Sequence, residues 1–217
     1  MHKNVIIVGA GISGIAAGYN LKKTCPNKSF SLLEGRENLG GTWDLFKYPG
    51  VRSDSDMHTL GYRFKPWIHD KSIADGPSIL DYLNETVDEN KLREHILLNH
   101  KVNSANWNSE QSHWELVVKN DEQLINMTCN FLFLCGGYFS YSKPHMPSFK
   151  NYENFKGQII HPQFWNDKID YENKKIIVIG SGATAITLVP AIAKKANHVV
   201  MLQRSPSYVI SRPSEDA

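Results

Sequence analysis

The sequence predicts an α/β fold: a parallel sheet wound with helices and carrying an antiparallel β-meander, followed by the first half of a second unit of the same kind. Three observations lead there. A β-branched run near the N-terminus enters a glycine-rich turn and then a helical segment, and the same order of elements returns about 170 residues later. Between them, alternating segments punctuated by Asn108-Ser109-Glu110 and Asn120-Asp121 read as antiparallel strands. The totals suit an ordinary globular chain: 217 residues, 41% hydrophobic and 21% charged, room for one large domain or two small ones.

Asn4 to Val8 is an apolar run of strand length. It ends in Gly9-Ala10-Gly11-Ile12-Ser13-Gly14, and Ile15 to Leu21 begins a helix. Strand, glycine turn and helix form the context a dinucleotide fingerprint requires. Gly9 makes the tight turn, Gly11 lets backbone approach a pyrophosphate, and Gly14 lets helix pack on strand. The helix N-terminus offers N–H groups and a partial positive charge to the phosphates. The helix closes near Cys25-Pro26-Asn27, and Ser29 to Leu33 forms the second strand. Glu34, at its end and twenty residues after Gly14, stands where a carboxylate accepts hydrogen bonds from an adenosine ribose.

Residues 38–66 have no clear period and are rich in glycine and proline, the mark of a functional irregular stretch. Pro77 to Glu89 reads as a helix with Ile79, Leu80, Leu83 and Val87 on one face. Ile96 to Leu98 is a short strand, Lys101–Trp107, Trp114–Lys119 and Gln123–Met127 form the meander, and Asn130 to Leu134 is a separate buried strand. Residues 140–172, with Pro144, Pro147 and Pro162, read as a linker. The strand Lys174 to Ile179 then enters Gly180-Ser181-Gly182-Ala183-Thr184-Ala185 and a helix reaching about Lys195, bent at Pro190. His198 to Leu202 is the last strand, ended by Gln203-Arg204-Ser205.

Several function classes drop out. A net charge of +2 gives no argument for nucleic acid or an anionic membrane as a partner. No run approaches a membrane span. Lys3 with Val5 to Ala17 imitates a secretory signal, but three glycines at fixed positions favour strand–turn–helix. The cysteines, at 25, 129 and 135, include no Cys-x-x-Cys, and a strand from 129 to 135 separates its ends by roughly 20 Å, too far for a disulfide. A reducing, cytoplasmic setting is expected, and a dithiol flavoprotein reductase is not. No metal is expected.

The two fingerprints end in different chemistry. Glu34 suits a free ribose hydroxyl, whereas Arg204 and Ser205 supply a cation and a hydroxyl for a 2′-phosphate. FAD and NADPH are the natural pair. This divides the chain into an FAD-binding domain over 1–140, a linker over 141–172, and the start of an NADP-binding domain over 173–217.

Gly40-Gly41-Thr42-Trp43-Asp44-Leu45-Phe46-Lys47-Tyr48-Pro49-Gly50-Val51-Arg52-Ser53-Asp54 resembles, at every fixed position, the signature GGxWxxxxYPGxxxD of the class B flavoprotein monooxygenases, and the chain looks most like Baeyer–Villiger monooxygenases of the ethionamide-activating type. Phe155 to Asn166 resembles that family's second signature, FxGxxxHTxxW, departing at Pro162 and Asn166; Trp165 points away from the related flavin-containing monooxygenases that act on nitrogen and sulfur nucleophiles. The resemblance covers the whole chain.

The resemblance implies that Ser13, Glu34, Thr42, Trp43, Asp44, Leu45, Asp54 and Val102 contact FAD, Val102 through its backbone. It places Arg52, Ser53 and Asp54 beside the nicotinamide, and Gly180, Ser181, Gly182, Ala183, Thr184, Arg204 and Ser205 around the rest of NADPH. Asp54 is the implied catalytic carboxylate, expected to be buried and paired with an arginine. His161 reads as a joint-fixing linker residue rather than a base. The implied reaction reduces FAD with NADPH and uses O2 to convert a ketone to an ester or to oxidise a thioether. Only 13 residues follow Arg204, so the second unit is expected to be partial, the arginine partner to lie outside it, and a separate C-terminal portion to be a partner. The competing readings are a pyridine-nucleotide reductase without oxygenation, an inactive or split flavin-binding fragment, and a flavin-containing monooxygenase acting on nitrogen or sulfur nucleophiles.

Overall fold

The computed structural model describes residues 1–211 and 213. Two compact units emerge: Met1–Asp44 with Ile79–Phe139, and Leu45–Ser78 with Ser140–Ala217. Where the sequence assigns 1–140 to one domain, residues 45–78 side with the later part of the chain.

In the first unit, β1 (His2–Val8), α1 (Ile12–Thr24) and β2 (Phe30–Leu33) form a strand–helix–strand crossover, with β1 and β2 parallel and Val5 opposite Phe30. The helix lies against the sheet because its facing residues are small. A Cβ on Gly18 would touch the Leu32 side chain at 3.1 Å, and one on Gly14 would collide with the Gly9 carbonyl. Lys22 and Lys23 occupy the last turn of α1, where cations suit the helix dipole, and Lys22 Nζ donates to the carbonyls of Asn90 and Lys91.

Two short helices follow: α2 (Thr42–Leu45), of which all but Leu45 belongs to the first unit, and α3 (Met57–Leu60) in the second, capped by Asp56 accepting from the Thr59 N–H. Helix α4 (Gly76–Glu89) starts in the second unit and belongs to the first from Ile79 onward, where it buries Ile79, Tyr82, Leu83 and Val87. Asp75 caps it, accepting from the Ser78 N–H at 3.0 Å and the Ser78 hydroxyl at 2.7 Å. Strands β3 (Ile96–Leu97), β4 (His100–Asn108), β5 (His113–Asn120) and β6 (Gln123–Leu134) complete the six-stranded sheet of the first unit in the order β3-β2-β1-β6-β5-β4.

Strand β6 corrects the sequence reading. The two expected strands, Gln123–Met127 and Asn130–Leu134, are one strand of 12 residues. Its first part pairs antiparallel with β5, and its last part pairs parallel with β1, Phe131 opposite Val5. No glycine or proline between 127 and 130 interrupts the extended backbone, so it simply continues. Met127 and Cys129 join Ile6, Leu33, Leu116 and Val118 in the core on one face. Nor is the end of β6 buried: Phe131 is 65% and Leu134 78% exposed.

The later part of the second unit is the parallel pair β7 (Lys175–Ile179) and β8 (His198–Leu202), joined by α5 (Ala183–Ile192). α5 buries Ala185, Thr187, Leu188 and Ile192. Pro190 sits inside it, and the helix stops at Ile192 rather than Lys195. Among the described residues no helix is long and apolar enough to cross a membrane.

Candidate functional site

The two glycine turns are built alike. Gly9 lies at φ +104° and its N–H donates to the Leu33 carbonyl at 2.8 Å; Gly180 lies at φ +124° and its N–H donates to the Leu202 carbonyl at 2.8 Å. Each turn is thereby tied to the last residue of the second strand, so the residues just after that strand lie beside the turn: Glu34 in one unit, Gln203 to Ser205 in the other. Each turn ends at a helix whose cap, Gly11 or Gly182, brings no capping side chain, and neither helix has an acidic residue in its first turn. Their first N–H groups and positive dipole ends suit an anion.

At the first turn, Glu34 is 6% exposed. Its Oε2 accepts from the Ala10 N–H at 3.0 Å and its Oε1 from the Arg36 N–H at 3.1 Å. Each oxygen has a second lone pair for a hydroxyl donor. The Ala10 carbonyl in turn accepts from the Gly40 N–H at 2.9 Å, so the glycine turn is clasped between Glu34 and the Gly40-Gly41 pair. Gly40 and Gly41 both have positive φ, +112° and +56°, conformations that let the chain fold back here. Thr42, Trp43 and Asp44 come next as the first residues of α2, with the Trp43 N–H donating to the Gly40 carbonyl and the Asp44 N–H to the Gly41 carbonyl, both at 3.2 Å.

Arg36 is the residue that sequence reasoning missed. Its Nη2 stands 2.6 Å from Asp44 Oδ2, and its Nη1 donates to the Gly41 carbonyl at 3.3 Å. The Asp44 carboxylate is thus engaged in bracing its own turn. The signal was present as a cation eight residues before an acid, but such a pair has no helical or strand spacing to reveal it. Val102 lies on β4 two residues beyond His100, whose N–H donates to the Glu34 carbonyl at 2.7 Å. The β4–β5 register slips between Val102 and Ser104, a bulge that frees local backbone from the ladder. Hence the first unit brings Gly9, Gly11, Ser13, Gly14, Glu34, Thr42, Trp43, Asp44 and Val102 into one neighbourhood.

At the second turn, space is open. A Cβ on Gly180 or Gly182 would meet no atom within 4 Å. Ser181 Oγ donates to the Ser205 carbonyl at 3.1 Å, and the Ser207 hydroxyl donates to the Ser181 carbonyl at 2.7 Å, binding the segment after β8 to the turn. Arg204 and Ser205 are exposed beside it, with Ala183 and Thr184 opening α5. The donors, the open cradle and the cation fit a phosphorylated dinucleotide, as the first turn fits one with a free ribose.

Leu45 and the loop Arg52–Asp54 belong to the second unit. Here one expectation is overturned: Asp54 is exposed, not buried. Arg52 bridges Asp75 in antiparallel fashion, and the Ser53 N–H donates to the Ala74 carbonyl at 2.9 Å. Extended backbone alternates its faces, so Ser53 turns inward while Arg52 and Asp54 turn out. The Ser53 hydroxyl donates to the Ser55 carbonyl at 2.6 Å and closes its own loop. His161 caps a short 3₁₀ turn, its Nδ1 accepting from the Gln163 N–H at 3.2 Å, and Gln163 Nε2 donates to the Ser140 and Tyr141 carbonyls. Burial, with His145 nearby, holds the His161 imidazole below its usual range, so its neutral, acceptor form is favoured.

The model of the NAD(P)-binding Rossmann-like domain matches residues 7–70, and that of the flavin-binding monooxygenase-like family matches residues 61–217. The chain is 54% identical over 216 residues to the FAD-containing monooxygenase EthA of Mycolicibacterium smegmatis, covering 99% of this chain and 44% of that protein. It is 50% identical to the probable FAD-binding monooxygenase AlmA of an Acinetobacter species, covering 98% of this chain and 43% of that one. The chain therefore spans less than half the length of these relatives. Among solved structures, an oxidised steroid monooxygenase bound to NADP has a TM-score of 0.84 at 29% identity, over 97% of this chain and 40% of that one. A cyclohexanone monooxygenase from Rhodococcus sp. Phi1 bound to NADP+ has a TM-score of 0.83 at 25% identity, over 97% and 39%. Two glycine turns built alike, each between a strand and a helix, and a family model matched from residue 61 to residue 217 lead to one conclusion: the chain belongs to the flavin-binding monooxygenase-like family.

Proposed function

We propose that the chain supplies the FAD site and an NADPH site of a flavoprotein monooxygenase that converts ketones to esters or oxidises thioethers with O2. The observation that carries this reading is the contrast at two equivalent positions. After β2 comes a buried carboxylate held toward the glycine turn; after β8 come an exposed guanidinium and a hydroxyl.

A bound FAD would supply the hydride-accepting and O2-activating chemistry, with NADPH as the hydride source. The chain's own residues bind and orient. Gly9, Gly11, Ser13 and Gly14 present backbone N–H groups to a pyrophosphate, and Glu34 accepts from the ribose. Arg36 and Asp44 hold the Gly41 turn in place for it, with Thr42, Trp43 and Leu45 alongside and Val102 beside the adenine. Gly180 to Thr184 cradle the second pyrophosphate, and Arg204 with Ser205 receives the 2′-phosphate. Arg52, Ser53 and Asp54 border the nicotinamide, with Asp54 as the carboxylate that orients charge there.

The functional division keeps the boundaries read from the sequence: FAD-binding residues over 1–140, a linker over 141–172 fixed by His161, and NADP-binding residues over 173–217. Three free cysteines, Cys25, Cys129 and Cys135, suit a reducing cytoplasm. The length that the relatives carry beyond the matched span is proposed to be needed for turnover.

The test combines the purified chain with FAD, NADPH, O2 and a simple ketone or thioether, with and without the corresponding C-terminal portion of a relative. Ester or sulfoxide is expected when that portion is present. NADPH oxidation that yields only hydrogen peroxide under both conditions would leave a reductase and remove the monooxygenase reading.

A further inference from the structure

The Tyr48-Pro49-Gly50 turn and α5 are built into one another. Gly50 lies at φ +82°, and a Cβ there would stand 2.5 Å from the Thr187 carbonyl oxygen and 2.8 Å from the Ala191 Cβ. Only glycine lets the turn come this close. Tyr48 is 6% and Thr187 3% exposed, and their hydroxyls lie 3.4 Å apart. Thr187 is also tied to the start of its own helix, its hydroxyl reaching the Ala183 carbonyl at 3.1 Å and the Thr184 carbonyl at 3.2 Å. On the other side, the turn runs directly into the Arg52–Asp54 loop. The Val51 N–H donates to the Tyr48 carbonyl, the Gly76 N–H to the Val51 carbonyl, and the Ser53 N–H to the Ala74 carbonyl.

We propose that Thr187 is a positioning residue that couples nucleotide binding at the Gly180–Thr184 turn to the order of the Arg52–Asp54 loop, through Tyr48 and Gly50. This rests on the reading that the Gly180 turn holds NADP(H). A phosphate on the first turn of α5 restrains Ala183 and Thr184. Their carbonyls hold the Thr187 hydroxyl, and the Tyr48–Gly50 turn is seated on that same residue. The loop therefore loses mobility when the helix start does. Coupling of this kind is reciprocal, so a loosened turn weakens nucleotide binding by the same factor.

Hydrogen exchange across residues 47–56 of the 217-residue chain, with and without saturating NADP+, reads the coupling, and calorimetry reads NADP+ affinity independently. In the wild type and in Thr187→Ser, which keeps the hydroxyl, NADP+ should slow exchange at 51–54 about fivefold. In Thr187→Val and in Tyr48→Phe that slowing should vanish, and NADP+ affinity should fall about fivefold. Tyr48→Phe removes a single oxygen and keeps the ring, so it reports even where Thr187→Val folds poorly. Unchanged slowing in variants that bind NADP+ overturns the coupling. Binding to the wild type without slowing at 51–54 overturns the coupling alone. Failure of the wild type to bind NADP+ overturns the nucleotide reading with it.

Discussion

The Arg36 guanidinium stands 2.6 Å from the Asp44 carboxylate, with side-chain exposures of 27% and 7%, and spans the turn that carries Gly40 and Gly41. Breaking a fully buried pair costs ~3–5 kcal/mol. Arg36 keeps some water, so Asp44→Ala should cost about 2 kcal/mol and lower the melting temperature by about 4–8 °C. FAD affinity should fall with it, because the turn packs beside Gly11, whose Cβ would lie 3.5 Å from the Gly41 Cα. Arg36→Lys, which keeps the charge and loses the fork, should lie in between. Thermal melts and flavin fluorescence titration check this; a wild-type melt and wild-type FAD affinity in Asp44→Ala would assign the pair no role.

Glu34 should select FAD over FMN, because only FAD carries an adenosine ribose for its free lone pairs. Glu34→Gln turns its NH2 toward either the Ala10 N–H or the Arg36 N–H and removes the charge that a ribose hydroxyl would meet, so FAD affinity should drop about tenfold or more, corresponding to ~1.5–3 kcal/mol for a hydrogen bond to a charged group. FMN binding should barely change. Equal retention of FMN and FAD by the wild-type chain after desalting would sink the assignment.

Arg204 is exposed beside Ser205 at the mouth of the second turn. Its loss should remove a charge-assisted phosphate contact of ~1.5–3 kcal/mol, roughly tenfold to a hundredfold in affinity. Arg204→Ala should therefore weaken NADPH and leave NADH nearly untouched, as measured by calorimetry. An unchanged NADPH-to-NADH ratio would make Arg204 an ordinary surface cation.

Acid should loosen the second unit in two steps. The His161 imidazole is held low by burial and by His145, so its cap on Gln163 is fully present above the unfolded value of about 6.5 and is lost as pH falls through the lower folded value. Burial pushes the Asp75 carboxyl up, but the Ser78 N–H, the Ser78 hydroxyl and Lys71 outweigh it and hold the group below its ordinary value. Its contribution is present above about pH 4 and lost as pH falls further. Asp75→Asn keeps a capping oxygen and should flatten the acid limb of stability, measured as urea midpoints between about pH 5 and 3. A wild-type acid limb in that variant would refute the Asp75 part, and exchange at the Gln163 amide that tracks only intrinsic chemistry from about pH 7 to 5 would refute the His161 part.

Local order was legible wherever neighbours in sequence are neighbours in space. The Gly9 turn, Glu34, the Gly180 turn and the strands flanking them depend on backbone conformations within a few residues, and glycine spacing reports those directly. Strand ends were less legible: the run from Asn126 to Asn130 looks like a break by composition, yet extended backbone with no glycine or proline carries β6 straight through it.

The sequence by itself determined the pair of strand–glycine turn–helix units and the residues at their edges, since each is a short-range consequence of glycine, strand and helix order. Tertiary structure alone decided which segments work together. The Tyr48–Gly50 turn comes after the first fingerprint in the chain but packs on α5, its hydroxyl partner 139 residues away. Arg36 meets Asp44 only because two glycines at positive φ fold the chain back, and Asp54 turns outward only because Ser53 bonds Ala74. Such contacts depend on close packing between distant surfaces, where a missing Cβ or one backbone hydrogen bond selects the partner and no sequence period records it.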